Sequence, residues 1–228
     1  MTLNHRAPSP SPQAKKSRRP GLDELSASMA EMRESELFRS YAELKRHFRE
    51  GVDYEVRERR GSTNKLCAAW HGGLMERGTD VLADIIAGDR LHYYAFKALI
   101  PHAGSGEHPL HITSSRFDEP RLLSLVKESQ MVLAVHCCST AGRVHRIFIG
   151  GGASDPVKRE LTELLRSNDF NAGPDRIFPG LHYRNPVNRG QQPGIQLELS
   201  QTYMDWLLGN PEQLTRLGKL LGGFFDGL

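Results

Sequence analysis

Two short, continuous apolar runs, each followed at once by a histidine, constrain this chain more than any other feature. Residues 66–70 lead into His71, and residues 131–135 lead into His136. An apolar run of this length without alternation is typical of a parallel strand that is covered on both faces. Because helices must supply that cover, the pattern favours an α/β fold.

Further apolar stretches of the chain are also typical of strands. Residues that favour the start of a helix lie between the predicted strands. The alternation predicts an α/β domain with a mixed, mostly parallel central sheet flanked by helices. Helices are expected to begin at Thr79, Pro120, Ser154, Ser200 and Pro211, and further strands to cover residues 54–58, 91–99, 144–149 and 194–199.

Two N-terminal segments are expected to precede a single catalytic α/β domain over residues 51–228. Residues 1–22 mix basic residues with prolines and bury little, which predicts a disordered basic tail. Residues 23–50 carry apolar side chains at three- and four-residue steps, which predicts a helical lead-in. Basic tails can bind nucleic acid, but an ordinary solvated terminus is the preferred interpretation, so we expect no nucleic-acid partner.

No stretch of the chain approaches the roughly 20 apolar residues that a membrane span needs. The N-terminus also lacks the apolar core of a secretory signal. We therefore expect a cytoplasmic monomer without membrane contact, which could reach an extracellular substrate after cell lysis. Cys67, Cys137 and Cys138 lie in apolar runs and are expected to be buried free thiols.

The histidines that end the two apolar strands suggest a metal site. Ligands of open α/β sheets bind outside the carboxyl ends of the strands, so His71 and His136 are expected at one edge. Glu76 follows across the flexible pair Gly72 and Gly73, which can aim its carboxylate at the same point. Two histidines and one glutamate are the ligand set of catalytic zinc sites, which predicts bound Zn²⁺. A histidine with purely structural hydrogen bonds is the alternative at each position.

Glu198 is the candidate for proton transfer in such a site. On the strand 195–199 it points to the face opposite the three apolar residues. An ionised carboxylate in a covered strand is costly unless it is paired or functional. A zinc hydrolase needs a carboxylate to carry a proton from water to the leaving group. One half of a salt bridge is the alternative for this residue.

Several blocks of sequence, in the same order, resemble the poly-γ-glutamate hydrolase family of bacteria and their phages. The resemblance covers about residues 41–200. It implies a fold like that of the zinc carboxypeptidases, zinc bound by His71, Glu76 and His136, and Glu198 as general acid/base. The matching blocks are residues 71–79, 110–120, 135–137, 150–151, 188–190 and 194–200.

Three positions depart from the family pattern. Trp70 stands where a proline is expected before the first zinc histidine, and residues 201–204 lack an expected arginine. Residues 1–40 are additional. None of these departures involves the implied zinc ligands, but the absent arginine leaves the specificity for the polymer open.

A poly-γ-glutamate substrate carries one free carboxylate per residue, so its binding cleft should contain cations. Arg189 is expected to form a forked contact with a substrate carboxylate, and Asn188 beside it and Arg143 are further substrate-binding candidates. Exposed surface charge is the alternative for both arginines. His111 is expected to support a ligand through a hydrogen bond, with a structural role in its loop as the alternative.

The leading hypothesis is therefore a zinc-dependent hydrolase of amide bonds, acting on the γ-glutamyl linkages of a polyanionic peptide. A zinc amidase for another peptide or cell-wall amide remains open. A non-catalytic DNA-associated protein that uses the basic tail is a third possibility. The short tail and the absence of an aromatic and basic stripe favour the enzyme.

Overall fold

The computed structural model describes residues 38–102, 107–139 and 145–228. The predicted tail 1–22 and the first part of the predicted lead-in lie outside these residues. The strands are β1 (Tyr54–Arg59), β2 (Lys65–Gly73), β3 (His92–Ala98), β4 (Met131–Cys138), β5 (Ile147–Gly150), β6 (Ala172–Pro174) and β7 (Ile195–Ser200). The α-helices are α1 (Tyr41–Leu44), α2 (Thr79–Ala87), α3 (Pro120–Glu128), α4 (Asp155–Ser167), α5 (Gln201–Gly209) and α6 (Pro211–Gly227).

The described strands form one sheet in the order β1-β3-β2-β4-β7-β5-β6. Its centre is a parallel block of β3, β2, β4 and β7. The two flanks are antiparallel to this block, because β1 opposes β3 and β5 opposes β7, while β6 runs parallel to β5. The mixed, mostly parallel sheet predicted from the sequence is confirmed, and the carboxyl ends of the four central strands share one edge.

Helices and loops cover both faces of the sheet. On one face, α2, α4, α5 and α6 pack on the sheet and form what we call the first cluster. On the other face, α1, α3 and the segment 110–117 form the second cluster. Both faces of β2 and β4 are therefore covered, which explains their continuous apolar sequences. None of the helices in the described part of the chain is both long and apolar enough for a membrane span.

The end of the predicted lead-in folds as part of the domain. Within residues 38–50 a helix forms only over Tyr41–Leu44, so the prediction of a continuous helix to residue 50 is wrong beyond that point. The backbone N–H of Arg49 donates to Asp53 at 2.7 Å, and Gly51 has a φ of 81°. These turn contacts reverse the chain into β1, while the neighbouring apolar side chains pack against the second cluster.

A β-bulge in β2 decides which face His71 occupies. Between Ala69 and Gly72 the pairing advances three residues in β2 against two in β3. Regular alternation would place His71 on the side of Cys67 and Ala69, in the first cluster. Instead, the ring centroid of His71 lies 4.9 Å from that of His136. The bulge therefore brings both histidines to the same face.

The glycine pair after His71 is required by close backbone packing. Gly73 has a φ of 69°, and a Cβ atom there would lie 2.3 Å from the carbonyl oxygen of Ala98. A Cβ atom at Gly72 would lie 2.8 Å from the Cβ of Asp80. Side chains at these positions would push β2 away from β3 and α2, so glycine fixes the end of the strand.

Candidate metal centre

Three side chains converge at the carboxyl edge of the parallel block. The Nδ1 atom of His71 lies 2.8 Å from Oε1 of Glu76, and the Nδ1 atom of His136 lies 3.2 Å from Oε2 of the same carboxylate. Both histidine side chains are only 3% exposed, and Glu76 is 15% exposed. The predicted ligands are therefore brought together, with both imidazoles facing one carboxylate.

The hydrogen bonds of His71 favour a cation at this point. Its Nε2 atom lies 2.9 Å from the carbonyl oxygen of Ile112, which can only accept a hydrogen bond. Nε2 must therefore carry the proton in the neutral ring, which leaves a lone pair on Nδ1 facing the Glu76 carboxylate. Two acceptors this close require a proton or a metal ion between them. The same arrangement orients the histidines of known metal sites.

Backbone contacts hold Glu76 in place. Its N–H donates to the carbonyl oxygen of His71 at 2.8 Å, which closes the turn after β2. Its Oε2 atom accepts the N–H of Cys137 at 2.9 Å. Burial acts to raise the pKa of Glu76, but the electrostatic interactions and hydrogen bonds with His71 and His136 outweigh it and hold the pKa below its usual range. A divalent cation would likewise favour the ionised carboxylate.

His111 lies closer to the centre than a purely supporting role requires. Its ring centroid is 4.3 Å from that of His71. Potential ligand atoms of His71, Glu76 and His111 all lie within 4.8 Å of one another. His111 Nδ1 also lies 3.4 Å from Oε2 of Glu107. The Nδ1 atom of His136, by contrast, directly faces the Glu76 carboxylate.

Glu198 lies beside the three candidate ligands. It is paired in register with His136 across β4 and β7 and is 7% exposed. Its Oε1 atom accepts a hydrogen bond from Nε2 of Gln196 at 3.1 Å, and no cation pairs with it in the described residues. Burial, and then the negative charges of Glu76 and Asp175, raise the pKa of Glu198 well above its usual range. These contacts do not support the salt-bridge alternative.

Asp175 is a buried carboxylate that the sequence analysis did not identify. Its Oδ1 atom accepts the N–H groups of Ile177 and Phe178, both at 2.8 Å. Its Oδ2 atom is buried and has no hydrogen-bond partner in the described part of the chain. Burial raises the pKa of Asp175 above its usual range. The residue follows the three-residue strand β6, which has no recognisable sequence pattern, so the sequence offered no signal for it.

Asn188 has a different role from the one predicted. Both N–H donors of its amide are used, by the carbonyl oxygens of Gly180 at 2.7 Å and His182 at 3.1 Å. Its Oδ1 accepts the N–H of Gly152 at 2.8 Å. Asn188 therefore holds loops together instead of offering a donor to substrate. Its neighbour Arg189 is exposed.

Arg189 lines a cavity of about 470 Å³. The ring of Phe117 forms part of its wall and lies 6.2 Å from the ring of His71, centroid to centroid. Arg143, the other predicted substrate residue, lies outside the described residues. We call this space the arginine cavity, and it is lined by Arg39, Ser115, Arg116, Phe117, Asp118, Tyr183, Arg184 and Arg189.

Comparison with known proteins gives a consistent result. The family model described as poly-gamma-glutamate hydrolase matches residues 38–215. The UPF0714 protein YndL of Bacillus subtilis (strain 168) is 30% identical over 179 residues, which cover 76% of this chain and 68% of YndL. The SPbeta prophage-derived UPF0714 protein YoqZ of the same organism is 32% identical over 140 residues, or 59% of this chain and 48% of YoqZ.

Two solved structures share the fold. The zinc-free apo form of YNDL superposes with a TM-score of 0.74 at 25% identity, covering 84% of this chain and 98% of that one. A bacteriophage poly-gamma-glutamate hydrolase superposes with a TM-score of 0.72 at 21% identity, covering 84% and 97%. The chain therefore shares its fold with these two proteins.

Proposed function

The chain belongs to the poly-γ-glutamate hydrolase family, and from this premise we propose that it is a zinc-dependent enzyme that cleaves γ-glutamyl amide bonds. His71, Glu76 and His136 are the proposed metal ligands, and Glu198 is the proposed general acid/base. The observation that carries the proposal is the convergence of two Nδ1 atoms on one carboxylate, at the edge where parallel sheets bind their ligands.

The donor set suits zinc. Two imidazoles and a carboxylate leave one coordination position for water or substrate, and a bound Zn²⁺ would supply Lewis acidity to activate water and polarise an amide carbonyl. Ile112 fixes the tautomer of His71, and the N–H of Cys137 orients the Glu76 carboxylate. The chain therefore holds its ligands in place before the metal binds.

Glu198 is proposed to carry the proton that amide hydrolysis must move. The carboxylate accepts a proton from the attacking water and delivers it to the leaving amine. Gln196 orients it through the bond to Oε1, while Gln196 is itself held by Asn185 at 2.9 Å and by the carbonyl oxygen of Phe178 at 3.1 Å. The surrounding strands exclude bulk water from this carboxylate, which stabilises the protonated form that exists between the two transfers.

The substrate is proposed to be a polyanionic peptide, with Arg189 among the residues that bind its carboxylates. The alternative is a zinc amidase that acts on a different peptide or cell-wall substrate with the same metal centre. Assays with a panel of amide substrates distinguish the two activities. The alternative of a DNA-associated protein rests on the basic tail, which lies outside the described residues. No contact in the described part of the chain supports it.

The direct test is hydrolysis of poly-γ-glutamate by chelator-treated protein, with and without added zinc. Cleavage should disappear when the metal is removed and return when zinc is restored. Chain length can be followed by gel filtration, and new amino groups by a colorimetric assay. Cleavage that continues in demonstrably metal-free protein excludes the zinc mechanism, and zinc-bound protein that cleaves other amides but not poly-γ-glutamate excludes the substrate.

A further inference from the structure

The arginine cavity is strongly cationic. It is lined by four arginines and by one carboxylate, that of Asp118. The Oδ1 atom of Asp118 already accepts the backbone N–H of Tyr41 at 2.6 Å. Within residues 38–102, 107–139 and 145–228, no carboxylate forms an ion pair with the guanidinium of Arg39, Arg184 or Arg189. The cavity therefore has uncompensated positive charge on its walls.

The cationic groups come from distant parts of the sequence. Arg39 precedes α1, Arg116 lies in the 3₁₀ turn Ser114–Arg116, and the other two flank the 3₁₀ turn Pro186–Asn188. Chance alone rarely places guanidinium groups from three segments around one space, because like charges repel when no anion lies between them. Their convergence suggests an anionic ligand.

The cavity is also next to the proposed chemistry. Phe117 contacts both the cavity and the ring of His71. The turn that contains Arg116 follows directly after Ile112, whose carbonyl oxygen binds Nε2 of His71. The ring of Phe117 therefore separates a ligand held in the cavity from His71 of the metal centre. The volume of about 470 Å³ is within the range of small-ligand pockets.

We propose that the arginine cavity binds the free α-carboxylates of the poly-γ-glutamate residues adjacent to the scissile amide. This inference rests on the proposed function. Arg39 and Arg184 determine specificity together with Arg189. Guanidinium groups suit this role because their planar fork matches a carboxylate. Tyr183, 71% exposed, receives the Nε–H of Arg184 on its hydroxyl at 3.0 Å and holds that guanidinium at the cavity.

The test compares single and double arginine variants of the zinc-loaded enzyme. Arg39→Gln and Arg184→Gln should each raise KM for poly-γ-glutamate by about fivefold, the upper end for an exposed ion pair. The double variant should raise it by about twenty-fivefold if the two contacts are independent. The value of kcat should stay within about twofold because neither residue touches the reacting atoms.

Arg159→Gln is the matched control. Arg159 is exposed on α4, which packs on the opposite face of the sheet, and it has no ion pair in the described residues. The charge change is identical, so its KM should not move. A second substrate, poly-γ-glutamate with its α-carboxylates converted to amides, should bind weakly to the wild type and should not distinguish the arginine variants from it.

A binding assay separates failure of this inference from failure of the proposed function. Zinc-loaded Glu198→Gln protein is titrated against labelled oligo-γ-glutamate, followed by fluorescence anisotropy, with and without the arginine substitutions. Affinity that falls with each substitution supports the inference even when the wild type cleaves another amide. Arginine variants that match Arg159→Gln in both KM and affinity overturn it. Preferential binding of single-stranded DNA in the same cavity also overturns it.

Discussion

The buried metal centre and the arginine cavity lie side by side but are built in different ways. The centre uses residues in strands or shortly after them, with histidine side chains that are 3% exposed and with backbone groups that hold His71 and Glu76. The cavity uses loops and exposed arginines held by few contacts. Strand ends place side chains with the precision that catalysis requires. Loops carry arginine side chains that can adjust to a flexible polymer. Changes in the centre should therefore alter metal binding and kcat, and changes in the cavity should alter KM.

The largest effect is expected from replacing one proposed ligand. His136→Ala should lose zinc and reduce hydrolysis to background, because only two ligands remain. Metal content after dialysis and activity with added zinc measure both effects. His111→Ala is the comparison variant and should lose at most the roughly ten- to hundredfold in zinc affinity that is typical of supporting residues. Loss of zinc from His111→Ala together with retention in His136→Ala would reverse the ligand assignment.

The next largest effect is expected at the proton-transferring residue. Glu198→Gln keeps the shape of the side chain and an oxygen that can accept from Gln196. Turnover should fall by about 10²- to 10⁴-fold with zinc content unchanged. Steady-state kinetics and metal analysis of the same preparation check this. Full turnover in the variant removes Glu198 from the mechanism and leaves the centre as a binding site only.

A smaller effect is expected from the carboxylate near Glu198. As a base, Glu198 works only when deprotonated, so activity is lost as pH falls through its pKa. The negative charge of Asp175 contributes to raising that pKa. Asp175→Asn should therefore move the acid limb of kcat/KM to lower pH, by up to about one unit. The asparagine retains an oxygen for the N–H groups of Ile177 and Phe178.

The control for this pH shift is an exposed aspartate. Asp155 at the start of α4 has a side chain that is 79% exposed. Asp155→Asn removes the same charge and should leave the pH profile unchanged, since exposed charges are screened. An unchanged profile in Asp175→Asn, with both proteins zinc-loaded, contradicts an electrostatic role for Asp175.

The smallest effect is expected from a change in the backbone of β2, the strand that carries His71. Gly73→Ala forces a side chain into a positive φ and against the carbonyl oxygen of Ala98, so it should lower the free energy of unfolding by roughly 1–3 kcal/mol. Gly223→Ala, in α6 with no atom within 4 Å of the added Cβ, should instead stabilise by roughly 0.5–1 kcal/mol. Denaturant unfolding measures the free energy of unfolding of both variants. Equal values would show that β2 can shift to accommodate the added side chain.

Much of the secondary structure was predictable from local patterns. The apolar runs before His71 and His136 predicted β2 and β4, and proline predicted the start of α3 and α6. These signals come from neighbouring residues in the chain and from burial, so they can be recognised in the sequence without knowledge of the fold. The short strand β6 carries no such signal. The predicted lead-in helix fails over residues 45–50, because tertiary packing, not helical periodicity, places Phe48.

The sequence by itself determined the residue types of the metal centre and the strands that carry them. Only the tertiary structure decided that His71 faces His136, because a bulge in β2 reverses the alternation that a regular strand would follow. It also decided that Asp175 lies near Glu198 and that Arg39 joins Arg184 around one cavity. Such contacts join residues more than 20 positions apart, and no local pattern encodes them, since the sheet and its loops bring them together only after the chain has folded.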